Sequence, residues 1–233
     1  MQNKVEWSLI KILVALVLCL LSFLVSAKEC KSISPELIGK NSKLVNNILL
    51  KADQIDKEVE IVDVISECGL DSSDKFIVGI SWAGRDGGAI ALINKEGNIF
   101  DLQQIGYIHS WQWIILNGDK VLLISSKVGG GSGSLDEKYN FITINGDKIS
   151  IDLKLSKKLG SFPMGVSPDD NYQVDGFVQF DFDNRSFRYL AVTTKFLIDK
   201  NGSLVVDNRS QDTVCYKAIK KNNATLFDKS KCE

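Results

Sequence analysis

The chain has 233 residues, of which 44% are hydrophobic, and its 28 basic and 29 acidic side chains give a formal net charge of −1. This length suits one domain with a sizeable core. A near-neutral charge without a basic stripe excludes a typical nucleic-acid binder, which concentrates lysine and arginine on one surface.

The N-terminal residues predict a secretory signal. Two lysines accompany the start of an uncharged apolar run over residues 12–25, and small residues follow at 25–27. Basic, apolar and small segments in this order are typical of a cleavable export signal. The run of about 14 residues is shorter than the roughly 20 that span a bilayer, so we expect cleavage between Ala27 and Lys28. The alternative is an uncleaved anchor, since Trp7 suits a membrane interface and would lengthen the span.

Cleavage would leave residues 28–233 as a single exported domain, periplasmic or extracellular. The loss of Lys4, Lys11 and Glu6 changes its formal net charge from −1 to −2. Membrane contact is then expected only through an uncleaved N-terminal segment.

Four cysteines remain in the exported domain: Cys30, Cys68, Cys215 and Cys232. An even number in an oxidising compartment predicts two disulfides. Three pairings are possible, and we favour Cys30–Cys68 with Cys215–Cys232, which ties each end of the domain to itself. A zinc site is disfavoured, because the sequence has no Cys-x-x-Cys motif and a single histidine.

Residues 34–56 are predicted to be helical. Ser34 can cap the helix, Pro35 suits its first position, and apolar residues recur at spacings of three, four and seven. Gly39 and Asn41 are positions at which a short and a longer helix could divide.

From about residue 58 the pattern indicates strands. Residues 76–82 and 149–155 alternate apolar side chains with others, which is typical of strands with one dry face. The unbroken apolar run 121–124 is typical of a central strand covered on both sides. Asn117-Gly118 and Asn145-Gly146 are strong signals for tight hairpin turns. We therefore predict a mainly β fold, an antiparallel meander of roughly ten strands in a sandwich- or barrel-like body, with the N-terminal helix packed on it.

An aromatic run supplies the first candidate site. Alternation predicts that four side chains share one strand face: Tyr107, His109, Trp111 and Trp113. These rings could form a row on which a sugar or another planar ligand stacks. They could equally be the core side of the strand, because aromatic side chains dominate core burial.

The connection at residues 82–88 is the second candidate. Trp82, Arg85 and Asp86 lie there beside glycines that would let a partner approach the backbone. The alternative is an ordinary connection with a solvated ion pair, which reveals little about function.

The sequence contains no catalytic signature, and we predict no metal and no cofactor. Residues 181–186 space oxygen donors as calcium loops do, but lack the glycine and glutamate that an EF-hand needs. A hydrolase needs paired carboxylates with separated pKa values. Candidates for such a pair are Asp86, Asp169, Asp170, Asp181 and Asp183.

These patterns favour a non-enzymatic binding or interaction domain with an unknown protein or glycan partner, located in the cell envelope or outside the cell. One alternative is an envelope hydrolase that cleaves glycans or peptides with carboxylates from residues 82–88 and 167–183. Another is an inhibitor or immunity-type protein that blocks an enzyme through the glycine-rich segment 129–134.

Overall fold

The computed structural model describes residues 33–65, 74–83, 87–128, 134–161, 171–181, 185–221, 224–230 and 232. Its elements are α1 (Lys43–Lys51), β1 (Val59–Val64), β2 (Lys75–Trp82), β3 (Gly88–Asn94), β4 (Ile99–Gln104), β5 (Tyr107–Leu116), β6 (Asp119–Lys127), β7 (Ser134–Asn145), β8 (Lys148–Ser161), β9 (Tyr172–Phe180), β10 (Ser186–Ile198), β11 (Leu204–Lys221) and β12 (Ala224–Ser230). No helix in these ranges is both long and apolar enough to cross a bilayer.

The strands form two antiparallel sheets. The small sheet has the order β1-β2-β3-β4, and the large sheet has the order β12-β11-β10-β9-β8-β7-β6-β5. Within each sheet every strand pairs with its neighbours in the chain, so both sheets are meanders. The large sheet has edge strands β5 and β12, so it is not closed into a barrel. The predicted β-rich antiparallel meander is confirmed, with twelve described strands rather than roughly ten.

The helix begins later than the sequence predicted. Ser42 is the N-cap, and its Oγ accepts a hydrogen bond from Val45 N at 3.2 Å. The same hydroxyl donates to Leu37 O at 2.6 Å, which fastens the preceding turns to the helix start. Residues 35–41 form turns and a bend instead of helix. Gly39 lies in this stretch, and its conformational freedom weakens a helix, so α1 covers only the second part of the predicted segment.

Two cores connect the helix and the sheets in layers. One face of the small sheet packs against α1 through Phe76, Val78, Ile80 and Trp82. The opposite face of the small sheet packs against the large sheet in a second core that includes Ile77. The predicted shared face at residues 76–82 is therefore confirmed, but β2 is covered on both sides rather than one.

The third core lies between parts of the large sheet, which curls over its own apolar face. Phe187 is fully buried there and stacks on Phe141 and Tyr216, with ring centroids 4.8 and 5.2 Å away. Side chains from β6 and β12 meet beyond this core, where Thr225 Oγ1 donates to Asp119 Oδ2 at 2.7 Å. The curl of the large sheet thus brings β12 over β6.

Strand β6 matches the prediction of a central covered strand. Leu122 and Ile124 belong to the core against the small sheet, whereas Val121 and Leu123 belong to the curled core. Strand β8 departs from its predicted single dry face, because its register shifts around Asp152. Such a bulge adds one residue to the strand and exchanges its faces. Residues 149 and 151 consequently pack on one core, and residues 153 and 155 pack on the other.

One predicted cysteine pair lies within the described residues. The Cys215 and Cys232 sulfurs are at bonding distance, with Cα atoms 5.2 Å apart, which confirms that predicted pairing. Cys30, Cys68, Ala27 and Lys28 lie outside the described residues, so the other pairing and signal cleavage remain predictions.

Candidate functional site

The aromatic run begins at one end of the large sheet, which we call the upper end. The ladder residue next to Tyr107 is Lys127, and pairing continues across the sheet through Glu137, Lys158, Asp175, Val192 and Gln211. The opposite, lower end carries the two Asn-Gly turns, at 117–118 and 145–146. The start of β5, the end of β6 and the hairpin between β10 and β11 therefore lie at the same end.

Backbone segments from both sheets pack closely at the upper end. Gly88 O accepts hydrogen bonds from Ile105 N at 3.0 Å and Gly106 N at 3.2 Å, where the chain crosses from the small sheet to the large one. Gly106 has a φ of +88°, and a Cβ placed there would lie 2.4 Å from Lys127 O. The crossing segment therefore lies so close to β3 and β6 that position 106 has no room for a side chain larger than a hydrogen.

Buried polar side chains fix the same crossing. Ser81 Oγ accepts from Ile108 N at 3.0 Å, and Ser126 Oγ donates to Ile105 O. Asn140 Nδ2 in turn donates to Ser126 Oγ at 2.9 Å. Because an unpaired buried polar group costs about 1–3 kcal/mol, these bonds define one backbone position for the start of β5.

We call three polar side chains the upper cluster: Tyr107 and His109, which lie on this fixed start of β5, and Glu60, which lies on β1. The Tyr107 and His109 rings have centroids 5.6 Å apart, with planes tilted by 53°. His109 and Glu60 are exposed, and Tyr107 is half-buried. A hydrogen bond to the Glu60 carboxylate, burial and the Glu60 charge raise the pKa of Tyr107 above its usual 10.0. The Tyr107 hydroxyl is therefore the donor and the Glu60 carboxylate the acceptor of this hydrogen bond.

Comparison of the chain with protein-family models, with curated proteins and with solved structures found no match.

The four aromatic-run side chains do not share one face as predicted. The ladder between β5 and β6 shifts between Ile108 and Ser110, so His109 is the extra residue of a bulge. Ile108, Trp111 and Trp113 consequently pack on the core between the sheets, the tryptophans only partly buried. Trp113 Nε1 also donates to Ile65 O at 3.0 Å. The bulge separates a core-facing tryptophan pair from the Tyr107–His109 pair.

The second predicted site, at residues 82–88, is described only in part. Trp82 is 2% exposed in the helix-facing core, so a ligand could reach its ring only after a rearrangement. Arg85 and Asp86 lie outside the described residues. Trp82 N donates to Gly87 O at 2.8 Å, and Ala83 N donates to Glu58 O at 2.8 Å. The described flanks of segment 84–86 therefore lie beside the strand that carries Glu60.

The acids proposed for calcium or hydrolysis are mostly beyond the described ranges. Of them, Asp181 is described: its carboxylate accepts from Ser186 Oγ and lies 3.9 Å from Arg188 Nε, across the β9–β10 turn. Within the described ranges, no three His, Cys, Asp or Glu side chains come together as metal ligands would. Residues 129–133 of the predicted inhibitory segment are also outside the described residues.

A separate open groove of about 380 Å³ lies beside the helix. Its lining residues are Asn47, Leu50, Lys51, Gly97, Asn98 and Ile99. It lacks the enclosure that small-molecule sites show.

Sequence reasoning missed Glu60 and the buried polar network. Ser81, Ser126 and Asn140 each interrupt or follow an apolar strand, and a polar residue in such a strand must find a partner. That pattern was the available signal for the network. Glu60 had no comparable signal, because its approach to Tyr107 depends on how the two sheets pack.

Proposed function

We propose that this chain is a non-enzymatic binding domain exported to the cell envelope or beyond, and that it engages a protein or glycan partner through the upper cluster. One observation supports this most. The solvent-accessible rings of Tyr107 and His109 lie next to each other on a backbone that buried hydrogen bonds hold in place. A surface with this combination can bind without ordering its backbone first.

The side-chain chemistry suits recognition. Tyrosine presents a flat apolar ring together with a hydroxyl, and such residues are enriched at interfaces. The exposed His109 ring and the partly exposed Tyr107 ring could stack on a sugar ring or on an apolar side chain. Glu60 adds an acceptor, so the cluster can pair a stacking contact with a hydrogen bond. Preorganisation lowers the entropy cost of binding and so favours affinity.

The hydrolase alternative receives less support. Glycoside or peptide hydrolysis by carboxylates needs two acids facing one substrate position with separated pKa values. At the upper cluster, Glu60 is engaged by the Tyr107 hydroxyl, and Asp181 anchors a turn at the lower end. A binding role needs no second acid.

Export rests on the order of basic, apolar and small residues at the N-terminus. Expression with a C-terminal tag followed by N-terminal sequencing of the exported material tests it. We expect the mature chain to begin at Lys28, whereas an intact Met1 terminus in the membrane fraction would support the anchor instead.

Variants at the upper cluster test the binding role. We expect Tyr107→Ala and His109→Ala each to reduce binding at least tenfold to whichever probe the wild type retains, from a glycan array or a labelled envelope-protein extract. Ile115→Ala is the matched control, since Ile115 is 47% exposed on the same strand at the lower end. Equal binding by all three variants would contradict the proposed site. Turnover of a retained glycan or peptide would contradict the non-enzymatic role.

A further inference from the structure

Four Asn-x-Ser/Thr motifs occur within residues 184–225, at Asn184, Asn201, Asn208 and Asn223. This motif is the acceptor of N-linked glycans in exported proteins, where the transferring enzyme needs the asparagine amide together with the hydroxyl two residues later. Asn201 and Asn208 lie within the described residues. The folded structure distinguishes the four motifs by the surroundings of their hydroxyl groups.

The hydroxyls of the first and last motifs are engaged inside the fold. Thr225, in the last motif, is 4% exposed, and its Oγ1 donates to Asp119 Oδ2 at 2.7 Å. Ser186, in the first motif, is half-buried, and its Oγ donates to Asp181 Oδ2. Hydrogen bonds to a carboxylate are among the stronger ones in proteins. An enzyme could therefore use these two hydroxyls in the folded chain only after breaking such a bond.

The Asn208 motif has an exposed hydroxyl but lies in a paired strand. Asn208 and Ser210 are both exposed on β11. Their partners in the ladder are Lys195 and Thr193 of β10. A ladder keeps the backbone extended, and bending this segment into an enzyme would break hydrogen bonds between the strands. Modification at Asn208 therefore carries a cost in the folded protein.

The Asn201 motif lies in the turn between β10 and β11, residues 199–203, which we call the tip turn. Asp199 Oδ1 accepts from Asn201 N at 2.9 Å and from Ser203 N at 2.8 Å, and Asp199 O accepts from Gly202 N at 3.0 Å. Asn201 and Ser203 are exposed. Gly202 has a φ of +80°, and a Cβ placed there would meet nothing within 4 Å. The amide and hydroxyl of this motif are therefore presented on an ordered turn with open space beside it.

The position of the tip turn leaves room for a bulky group. Strand β9 pairs with β10 as far as Lys195, and β10 and β11 continue beyond it as a two-stranded ladder. Among the described strands, no other pairs with residues 196–206. Exposed tips of this kind tolerate additions because few contacts are lost there.

The strands beside the tip turn carry a group of exposed apolar side chains. Their exposed fractions are 38–51%, and they are Leu197, Ile198, Leu204, Val205 and Val206. Grouped exposed apolar residues favour non-specific association. A glycan is bulky and solubilising, so one attached to the tip turn would lie next to these side chains and hydrate their surroundings.

We propose that Asn201 is an N-glycosylation site of the exported protein and that it is modified in preference to Asn208. This rests on the export proposed above, because the donor and the transferring enzyme belong to an export compartment. The donor is an oligosaccharide linked to a lipid through a diphosphate. Asn201 Nδ2 forms a bond to C1 of the first sugar, and the C1–O bond to the diphosphate breaks. The diphosphate leaves with the bonding electrons, and the amide releases one proton.

Mass spectrometry of the full chain, purified from the cells that naturally produce it, tests the proposal. We expect the intact mass to exceed that of residues 28–233 by an oligosaccharide, and tandem spectra to locate the sugar on Asn201. Ser203→Ala removes the hydroxyl but keeps the backbone N–H that bonds to Asp199, so the modified fraction should fall to background. Ser203→Thr is the matched control, since it keeps a hydroxyl and should keep the sugar. Asn208→Gln should keep it as well.

The outcomes separate this proposal from export itself. Exported chain that begins at Lys28 without a sugar would overturn glycosylation and leave export intact. Unmodified chain with an intact Met1 in the cytosol would overturn both. Occupancy at Asn208 equal to that at Asn201 would overturn the preference for the tip turn. A sugar that persists in Ser203→Ala would show attachment elsewhere and overturn the site.

Discussion

The two ends of the large sheet use the same residue type, glycine, for different physical reasons. At the lower end Gly118 and Gly146 have φ of +81° and +62°, and a Cβ at either would meet nothing within 4 Å. At the upper end Gly106 has a similar φ, but a Cβ there would collide with the Lys127 backbone. The lower glycines provide a backbone conformation, whereas the upper glycine also provides space for two sheets to meet.

The ends also differ in what surrounds them. The lower end is stabilised by the Phe187 aromatic stack and by contacts of Asp119 with Thr225 and Lys220. The upper end has a buried polar network beneath the exposed His109 ring and the half-buried Tyr107 ring. Substitutions of these partly exposed side chains remove little buried contact, so the proposed binding groups cost the fold little stability.

The largest expected effect is the loss of a lower-end aromatic ring. Phe187→Ala removes a fully buried side chain from the curled core, and we expect it to lower the free energy of unfolding by about 3–5 kcal/mol. Tyr107→Ala at the upper end should cost less than about 1 kcal/mol, since its ring is half-buried and outside the cores. Urea unfolding of both variants measures the difference. Similar losses would contradict the division between the two ends.

The parts of this fold that could be predicted are those that local chemistry determines. Asn-Gly pairs require positive φ, so both lower-end turns were predictable from two residues each. The unbroken apolar run in β6 predicts burial on both faces of the strand, whichever elements cover it. The even cysteine count predicted disulfides, and Cys215–Cys232 was the favoured choice at the C-terminal end among three possible pairings.

What could not be predicted depends on registers between strands. The bulges at His109 and Asp152 each reverse the faces of a strand, and nothing in the strict alternation of these segments reveals them. The same holds for Glu60, which reaches Tyr107 only because the two sheets pack together. Two of the three upper-cluster residues, Tyr107 and His109, were therefore identified from sequence, but their separation from Trp111 and Trp113 was not.

Loss of the disulfide should come next in size. The bond closes a loop between residues 17 apart, and in the chain-entropy model such a loop contributes about 3 kcal/mol. We expect the Cys215→Ala, Cys232→Ala double variant to unfold at correspondingly lower urea concentration. Hydrogen exchange should rise most in β12 and in the part of β11 around Cys215, while β6 stays protected. Uniform acceleration throughout the sheet would show that the bond supports both ends equally.

Substitution of the two glycines should lower the free energy of unfolding by smaller amounts, which differ between the two positions. Gly118→Ala should cost about 1 kcal/mol, from the positive φ alone. Gly106→Ala adds a backbone collision to the same strain, and we expect about 2–4 kcal/mol in total. Thermal unfolding of the two variants beside the wild type measures the gap. Equal losses would mean that the crossing segment relaxes freely, and the fixed backbone beneath Tyr107 and His109 would then be wrong.

The smallest expected effect is a pH dependence at the lower end. Burial alone would raise the pKa of Asp119, but hydrogen bonds from Lys220 and Thr225 and the Lys220 charge outweigh it and lower the pKa below 3.8. A folded-state pKa below the unfolded one stabilises the folded protein above that value, and the contribution is lost as pH falls below 3.8. We therefore expect Asp119→Asn to cost less than about 1 kcal/mol at neutral pH, with the difference shrinking in acid. In a Lys220→Met background the neutral-pH cost should be smaller. Urea unfolding across the acid range measures this, and a constant difference between wild type and Asp119→Asn would show that the carboxylate charge does not hold the curl closed.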